Sequence, residues 1–121
     1  MPLIDTHIHL TSPRYTDLPG LVIRAKHAGI AGVVAAAVDE ATSYQVLSMC
    51  AAFPAFIHGV LGVHPERSIA DNETERVIAL IRRERARVVA IAEVGLPSYT
   101  IRERPDYEAL IAAAEPRLQR F

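Results

Sequence analysis

Residues able to do chemistry appear at once, in Leu3-Ile4-Asp5-Thr6-His7-Ile8-His9-Leu10. The stretch alternates with period two. In a strand, Asp5, His7 and His9 share one face, and Ile4, Thr6 and Ile8 share the other. Imidazoles at this spacing stand roughly 6–7 Å apart at Cα, near enough to hold one divalent ion between them. Burying two histidines and an aspartate side by side is costly unless a metal or a hydrogen-bond network satisfies them. Two readings of His7 and His9 stand on the motif alone: a metal pair, or the solvated end of a strand. Asp5 sits deeper on the same face. It either orients an imidazole from behind the metal or makes a hydrogen bond inside the fold.

Two more segments carry groups of the same kind. Gly62-Val63-His64-Pro65 supplies a histidine, and Ala92-Glu93-Val94-Gly95-Leu96 supplies a carboxylate. Glu93 is either a ligand or a cap on the turn that follows it. His58 shares a strand with His64 but lies six residues earlier, and is expected as a satisfied core histidine.

The elements that must position these groups repeat one pattern. Leu18, Leu21, Val22, Ala25 and Ala28 form a helical stripe behind the cap Asp17 and Pro19, and Gly29 ends it. Residues 31–38 are apolar throughout, as in a strand covered on both faces. Asp39 caps a helix over Glu40 to Ala52, which stops before Pro54. A second apolar strand, residues 55–63, runs into His64. Asn72-Glu73-Thr74-Glu75 reads as a capping box for a helix to about Arg85, with Val77, Leu80 and Ile81 as its buried stripe. Residues 88–92 form the last strand and lead directly into Glu93. A final helical segment starts near Pro105, carries Tyr107, Leu110, Ile111 and Ala114, and is expected to stop near Glu115 because Pro116 follows. Residues 117–121 are expected to fray. Four strand–helix units of this kind predict an α/β fold with parallel strands wound in βαβ units. In such folds the C-terminal strand ends share one rim, where ligands bind. His7 with His9, His64 and Glu93 all fall on that rim.

Composition narrows the setting. A chain of 121 residues predicts a single domain, 1–121, and 50% hydrophobic with 22% charged residues predicts an ordinary packed core. Net charge is −1, so there is no general pull toward nucleic acid or an anionic membrane. The single cysteine, Cys50, excludes an intrachain disulfide and is expected as core filler. No apolar run is long enough to span a bilayer, and the start of the chain lacks a basic, apolar leader. A cytoplasmic protein with no membrane partner is the expectation.

The three motifs, in this order and spacing, resemble the TatD-type metal-dependent hydrolases, a branch of the amidohydrolase-like barrels, over nearly the whole chain. The resemblance implies the N-terminal half of a (β/α)8 TIM-type barrel with its metal centre on the C-terminal rim. It implies that His7 and His9 hold one ion and that Glu93 bridges two, zinc, manganese or magnesium, with Glu93 and His64 as catalytic-site residues. It implies a phosphodiester substrate, nucleic acid or a small phosphoester. Arg102 and Arg104 on the same rim, and Arg14, are candidates for substrate phosphates, or they are solvated loop residues. Arg82, Arg83, Arg85 and Arg87 fall toward the opposite rim and are expected as a solvated helix end.

This sequence departs from the family pattern in two ways. A full barrel takes about 250 residues, and the later ligands, two histidines and an aspartate, have no counterpart here. Pro97 stands where many members carry aspartate. The half-barrel therefore carries expectations of its own. It binds metal weakly alone, turns over little as a monomer, and associates with itself or with a separate C-terminal half. A non-catalytic fragment or assembly subunit is the alternative, and an amidohydrolase or phosphoesterase with the same His-x-His start is the rival enzyme.

Overall fold

The computed structural model describes residues 1–67, 72–98 and 101–121. The elements alternate: β1 (Leu3–Ile8), α1 (Leu18–His27), β2 (Ile30–Ala36), α2 (Glu40–Ala52), β3 (Ile57–Leu61), α3 (Glu73–Arg83), β4 (Val88–Ile91) and α4 (Tyr107–Leu118). The strands form one sheet in the order β1-β2-β3-β4, and every neighbouring pair is parallel. The four βα units expected from the sequence are present. Among the described residues no helix is long and apolar enough to cross a membrane.

The core lies on the helix side of the sheet. Val33 and Ala35 of β2 and Ile57 and Leu61 of β3 pack with Val22 of α1, Val46, Leu47 and Cys50 of α2 and Leu80 of α3. Cys50 is a buried free thiol there, as expected, and burial pushes its pKa up. Local signals explain the helix starts. Asp17 accepts from the Gly20 amide at 2.9 Å. Asp39 and Thr42 form a reciprocal capping box at α2. Gly29, at φ +87°, turns the chain from α1 into β2 in a conformation that favours glycine.

Three expectations need correction. There is no capping box at Asn72: its backbone is left-handed (φ 68°) and its side chain makes no cap bond. The acidic residues around it act elsewhere. Glu73 accepts the Glu40 amide at 3.0 Å, and Glu75 pairs with Arg120. Nor does Pro116 stop the last helix, which continues to Leu118. Pro116 and Ala112, four residues before it, are both exposed, so water reaches the face where the proline removes a hydrogen bond. Nor is the tail frayed. The Gln119 amide donates to the Glu115 carbonyl at 3.0 Å, and Arg117 Nη2 reaches back to the Pro65 carbonyl at 2.6 Å.

The outer strands differ from the inner ones. Leu3 is 52% exposed on β1, and Val89 and Ile91 are 58% and 45% exposed on β4. His58 is exposed as well, which corrects its reading as a core residue. It lies opposite Val34 in the ladder, on the face of the sheet turned away from the helices.

Candidate metal centre

His7 and His9 come from the end of β1, and Glu93 follows β4 at the other edge of the sheet. Three strand spacings of about 4.8 Å, roughly 14 Å, would separate those strands in a flat sheet. His7 Nε2 nevertheless lies 2.9 Å from Glu93 Oε1. The sheet is therefore curled into a trough, and the side chains of its two edges meet across it.

Glycine permits the last part of that approach. A Cβ on Gly62 would lie 2.7 Å from Ala92 C and 2.8 Å from Glu93 N. Only a residue without a side chain lets the end of β4 pass this close to β3. The Ala92 amide donates to the Leu61 carbonyl at 3.0 Å and holds the strand end there.

Hydrogen bonds to the second ring nitrogen separate His9 from His64 by role. His9 Nδ1 lies 3.1 Å from the Ala36 carbonyl. A carbonyl only accepts, so Nδ1 carries the proton and Nε2 presents a lone pair. His64 is set the other way. Its Nδ1 accepts from the Glu66 amide at 3.2 Å, so in the neutral ring Nε2 carries the proton. That Nε2–H stands 3.6 Å from Glu93 Oε2.

The donor atoms fit a divalent ion. Ligands bound at about 2.0–2.2 Å lie about 2.9 Å apart at right angles and about 3.4 Å apart at tetrahedral corners. His7 Nε2 is 2.9 Å from Glu93 Oε1 and 3.3 Å from His9 Nε2, and the ligand atoms of the three residues all fall within 4.8 Å of one another. Glu93 Oε2 is buried without a hydrogen-bond partner among the described residues. His9 and His64 approach it only to 3.7 and 3.6 Å. A buried carboxylate oxygen with no donor is unfavourable unless a cation takes it.

The other residues singled out in the sequence fall as follows. Asp5 Oδ1 accepts from the His7 backbone amide at 3.0 Å, so it fixes the main chain of His7. Arg14 bonds Ser12 Oγ at 3.2 Å and lies over the Tyr15 ring. Arg102 is exposed. Asp106 grips Arg104 through Nε and Nη2 at 2.9 and 2.7 Å. Arg83 and Arg87 share Glu84, away from the centre. The sequence reading passed over Asp39 as more than a cap, and over Arg67, which donates to it at 2.5 Å. Thr42 Oγ1 lies 2.6 Å from Asp39 Oδ1. Burial pushes the Asp39 carboxyl up, but the Thr42 bonds and Arg67 outweigh it and leave the pKa below the usual 3.8. Arg117 was also missed. A basic residue behind a proline expected to end its helix gives no signal that it docks on the loop beside His64.

The chain is similar to known proteins. The family profile of TatD-related DNases matches residues 4–115. "Deoxyribonuclease TATDN3" of Homo sapiens is 29% identical over 78% of this chain and 38% of its own length. The "uncharacterized metal-dependent hydrolase YabD" of Bacillus subtilis is 36% identical over 78% of this chain and 37% of its own. "3'-5' ssDNA/RNA exonuclease TatD" of Edwardsiella piscicida is 29% identical over 93% and 45%. The crystal structure of YjjV, a TatD homologue of Escherichia coli, superposes with a TM-score of 0.80 at 26% identity, over 97% of this chain and 45% of that one. The chain spans less than half the length of these relatives.

Proposed function

This chain belongs to the TatD-related DNase family, and from that premise we propose that it supplies the first-half ligands of a divalent-metal phosphodiesterase acting on single-stranded nucleic acid. The observation that carries the reading is the convergence of His7 and His9 on Glu93, whose Oε2 is buried with no hydrogen-bond partner among the described residues. His7 and His9 would hold one ion. Glu93 presents one oxygen beside His7 and the other between His9 and His64, which suits a carboxylate shared by two ions. The mixed nitrogen and oxygen donors suit zinc or manganese and accept magnesium. Bound there, divalent cations supply Lewis acidity toward water and a phosphoryl oxygen.

The chain's own residues orient this chemistry. The Ala36 carbonyl fixes the His9 ring, as outer partners of metal-binding histidines do. Asp5 fixes the His7 backbone, and Gly62 lets Glu93 arrive. His64 keeps its proton on Nε2, facing the centre. It is a positioned donor to a substrate oxygen, and the leaving alcohol oxygen needs such a proton when water adds to phosphorus and the P–O bond breaks. Arg102 and Arg104, on the same rim, are proposed to meet substrate phosphates.

The exposed residues on β1 and β4 support a partner for this chain. Two bare edges and an apolar trough are what added parallel strands would cover. The reading assigns turnover to the assembly with paired edges, formed with a second copy or with a separate C-terminal half, and little turnover to the monomer. The test is chelator-sensitive cleavage of an end-labelled single-stranded oligonucleotide, compared with amide substrates, across fractions sized by light scattering. Cleavage that follows the assembled fraction and is lost in His7→Ala/His9→Ala supports the reading. Cleavage that survives both substitutions, or a preference for amides, overturns it.

A further inference from the structure

A second cavity on the catalytic rim has no role in the metal centre. It measures about 360 Å3 beside residues 65–67 and one face of α4, and its lining includes the Glu66 carboxylate as well as Pro65, Arg67, Ile101, Arg104, Leu110 and Arg117. Its wall is apolar on the α4 side and carries three guanidiniums. Arg67 also lines an open pocket of about 400 Å3 with His9 and His64. One arginine thus stands between the metal centre and the cavity.

The three arginines are held in different ways. Arg104 is gripped at two nitrogens by Asp106 on an exposed loop. Arg67 meets Asp39 through Nη2 alone, and Asp39 is itself fixed by Thr42 at the start of α2. Arg117 is half-buried, and its described bond goes to the neutral Pro65 carbonyl. Burial lowers its pKa, with no carboxylate among the causes. A partly desolvated cation bonded to a neutral carbonyl gains from an anion that meets it. Phosphate suits the planar donor fork of arginine, and Pro65, Ile101 and Leu110 offer an apolar surface for a base.

We propose that this cavity is a nucleotide subsite: Arg67 and Arg117 bind the phosphate next to the one at the metal centre, and the apolar wall against α4 takes the adjoining base. The inference rests on the nucleic-acid reading above. It extends that reading from the scissile bond to the neighbouring nucleotide of a single strand. Strand binding at this subsite is independent of metal.

The test is fluorescence anisotropy of a labelled eight-residue oligothymidylate with the full chain in EDTA, over a salt series. Arg67→Gln and Arg117→Gln are each expected to weaken binding about 5- to 20-fold. Each is expected to reduce the salt slope by about 0.7, as loss of one phosphate contact to a single strand requires. Ala113→Trp, which fills the cavity without changing charge, is expected to weaken binding at unchanged slope and to remove the advantage of thymidine monophosphate over inorganic phosphate as a competitor. His7→Ala/His9→Ala is expected to lose metal binding by calorimetry and to keep strand affinity in EDTA. Zinc binding by both arginine variants at wild-type affinity shows that the loop beside His64 is intact. No strand binding by the wild type, or unchanged affinity in all three cavity variants, overturns the subsite. So does an undiminished preference for thymidine monophosphate over inorganic phosphate in Ala113→Trp. If the subsite variants behave as expected while His7→Ala/His9→Ala leaves cleavage intact, the metal reading fails and the subsite stands.

Discussion

The inner and outer strands of one sheet perform different tasks. Val33, Ala35 and Ala36 on β2, and Ile57, Val60 and Leu61 on β3, are all at most 4% exposed. Leu3 and Ile4 on β1, and Val89 and Ile91 on β4, are between 45% and 62% exposed. The inner pair is clamped between neighbours in the ladder and helices on one face. The outer pair has one ladder neighbour each and an open trough. Yet β1 and the end of β4 carry His7, His9 and Glu93. Stability is concentrated in the middle of the sheet and ligands at its margins, and the curl set by the middle brings the margins together.

The contrast is sharpest in core truncation. Leu61→Ala removes a side chain that is 0% exposed and should destabilise by about 2–5 kcal/mol in urea unfolding. Ile91→Ala, on the open edge, should change the stability of a dilute monomer by less than about 1 kcal/mol. In an assembly that pairs β4, Ile91 is covered, and the same substitution should cost about 2 kcal/mol or more at high protein concentration. Equal effects of Leu61→Ala and Ile91→Ala at every concentration would break the distinction between inner and outer strands.

Gly62 tests whether the middle of the sheet positions the margin. Gly62→Ala places a methyl against the Ala92–Glu93 backbone, and backbone cannot swing aside as a flexible side chain can. The expected result is about 10- to 100-fold weaker zinc affinity, with the circular dichroism spectrum unchanged. Wild-type affinity in this variant would show that Glu93 does not depend on the close approach.

Much of this arrangement was legible in the residues. Alternation of helical stripes with apolar runs gave the order of elements, because each inner strand is covered by helices and ladder neighbours. The Asp39 cap was readable because Asp before a helical stripe has a short-range function. What stayed hidden depends on distance in space. Asn72 carries the composition of a cap but a left-handed backbone, and tertiary contacts redirect Glu73 to the Glu40 amide and Glu75 to Arg120. His58 was expected in the core, but its exposure depends on what fills the trough. The proton positions on His9 and His64 follow from the Ala36 carbonyl and the Glu66 amide. The Ala36 carbonyl comes from a strand 27 residues away, and no periodicity reports it.

The smallest effect belongs to the polar clamp that follows β2. Thr42 and Arg67 hold the Asp39 carboxyl below its usual 3.8 despite burial, which acts to raise it. The folded chain therefore binds this proton more weakly than the unfolded chain. The stabilisation is complete well above pH 3.8 and is lost as pH falls through that value toward the lower folded one. Asp39→Asn keeps an oxygen able to accept the Thr42 amide but loses the charge facing Arg67. It should cost about 1 kcal/mol at pH 7, and the gap to the wild type should shrink as pH falls below the usual 3.8. Glu84 and Asp106 also have lowered pKa values, but they are present in both proteins and cancel in the difference. Urea midpoints of the pair at pH 7, 5, 4 and 3 measure it. A gap that stays constant with pH would mean that Asp39 serves as a neutral acceptor alone, and that the inner strands carry no charged clamp.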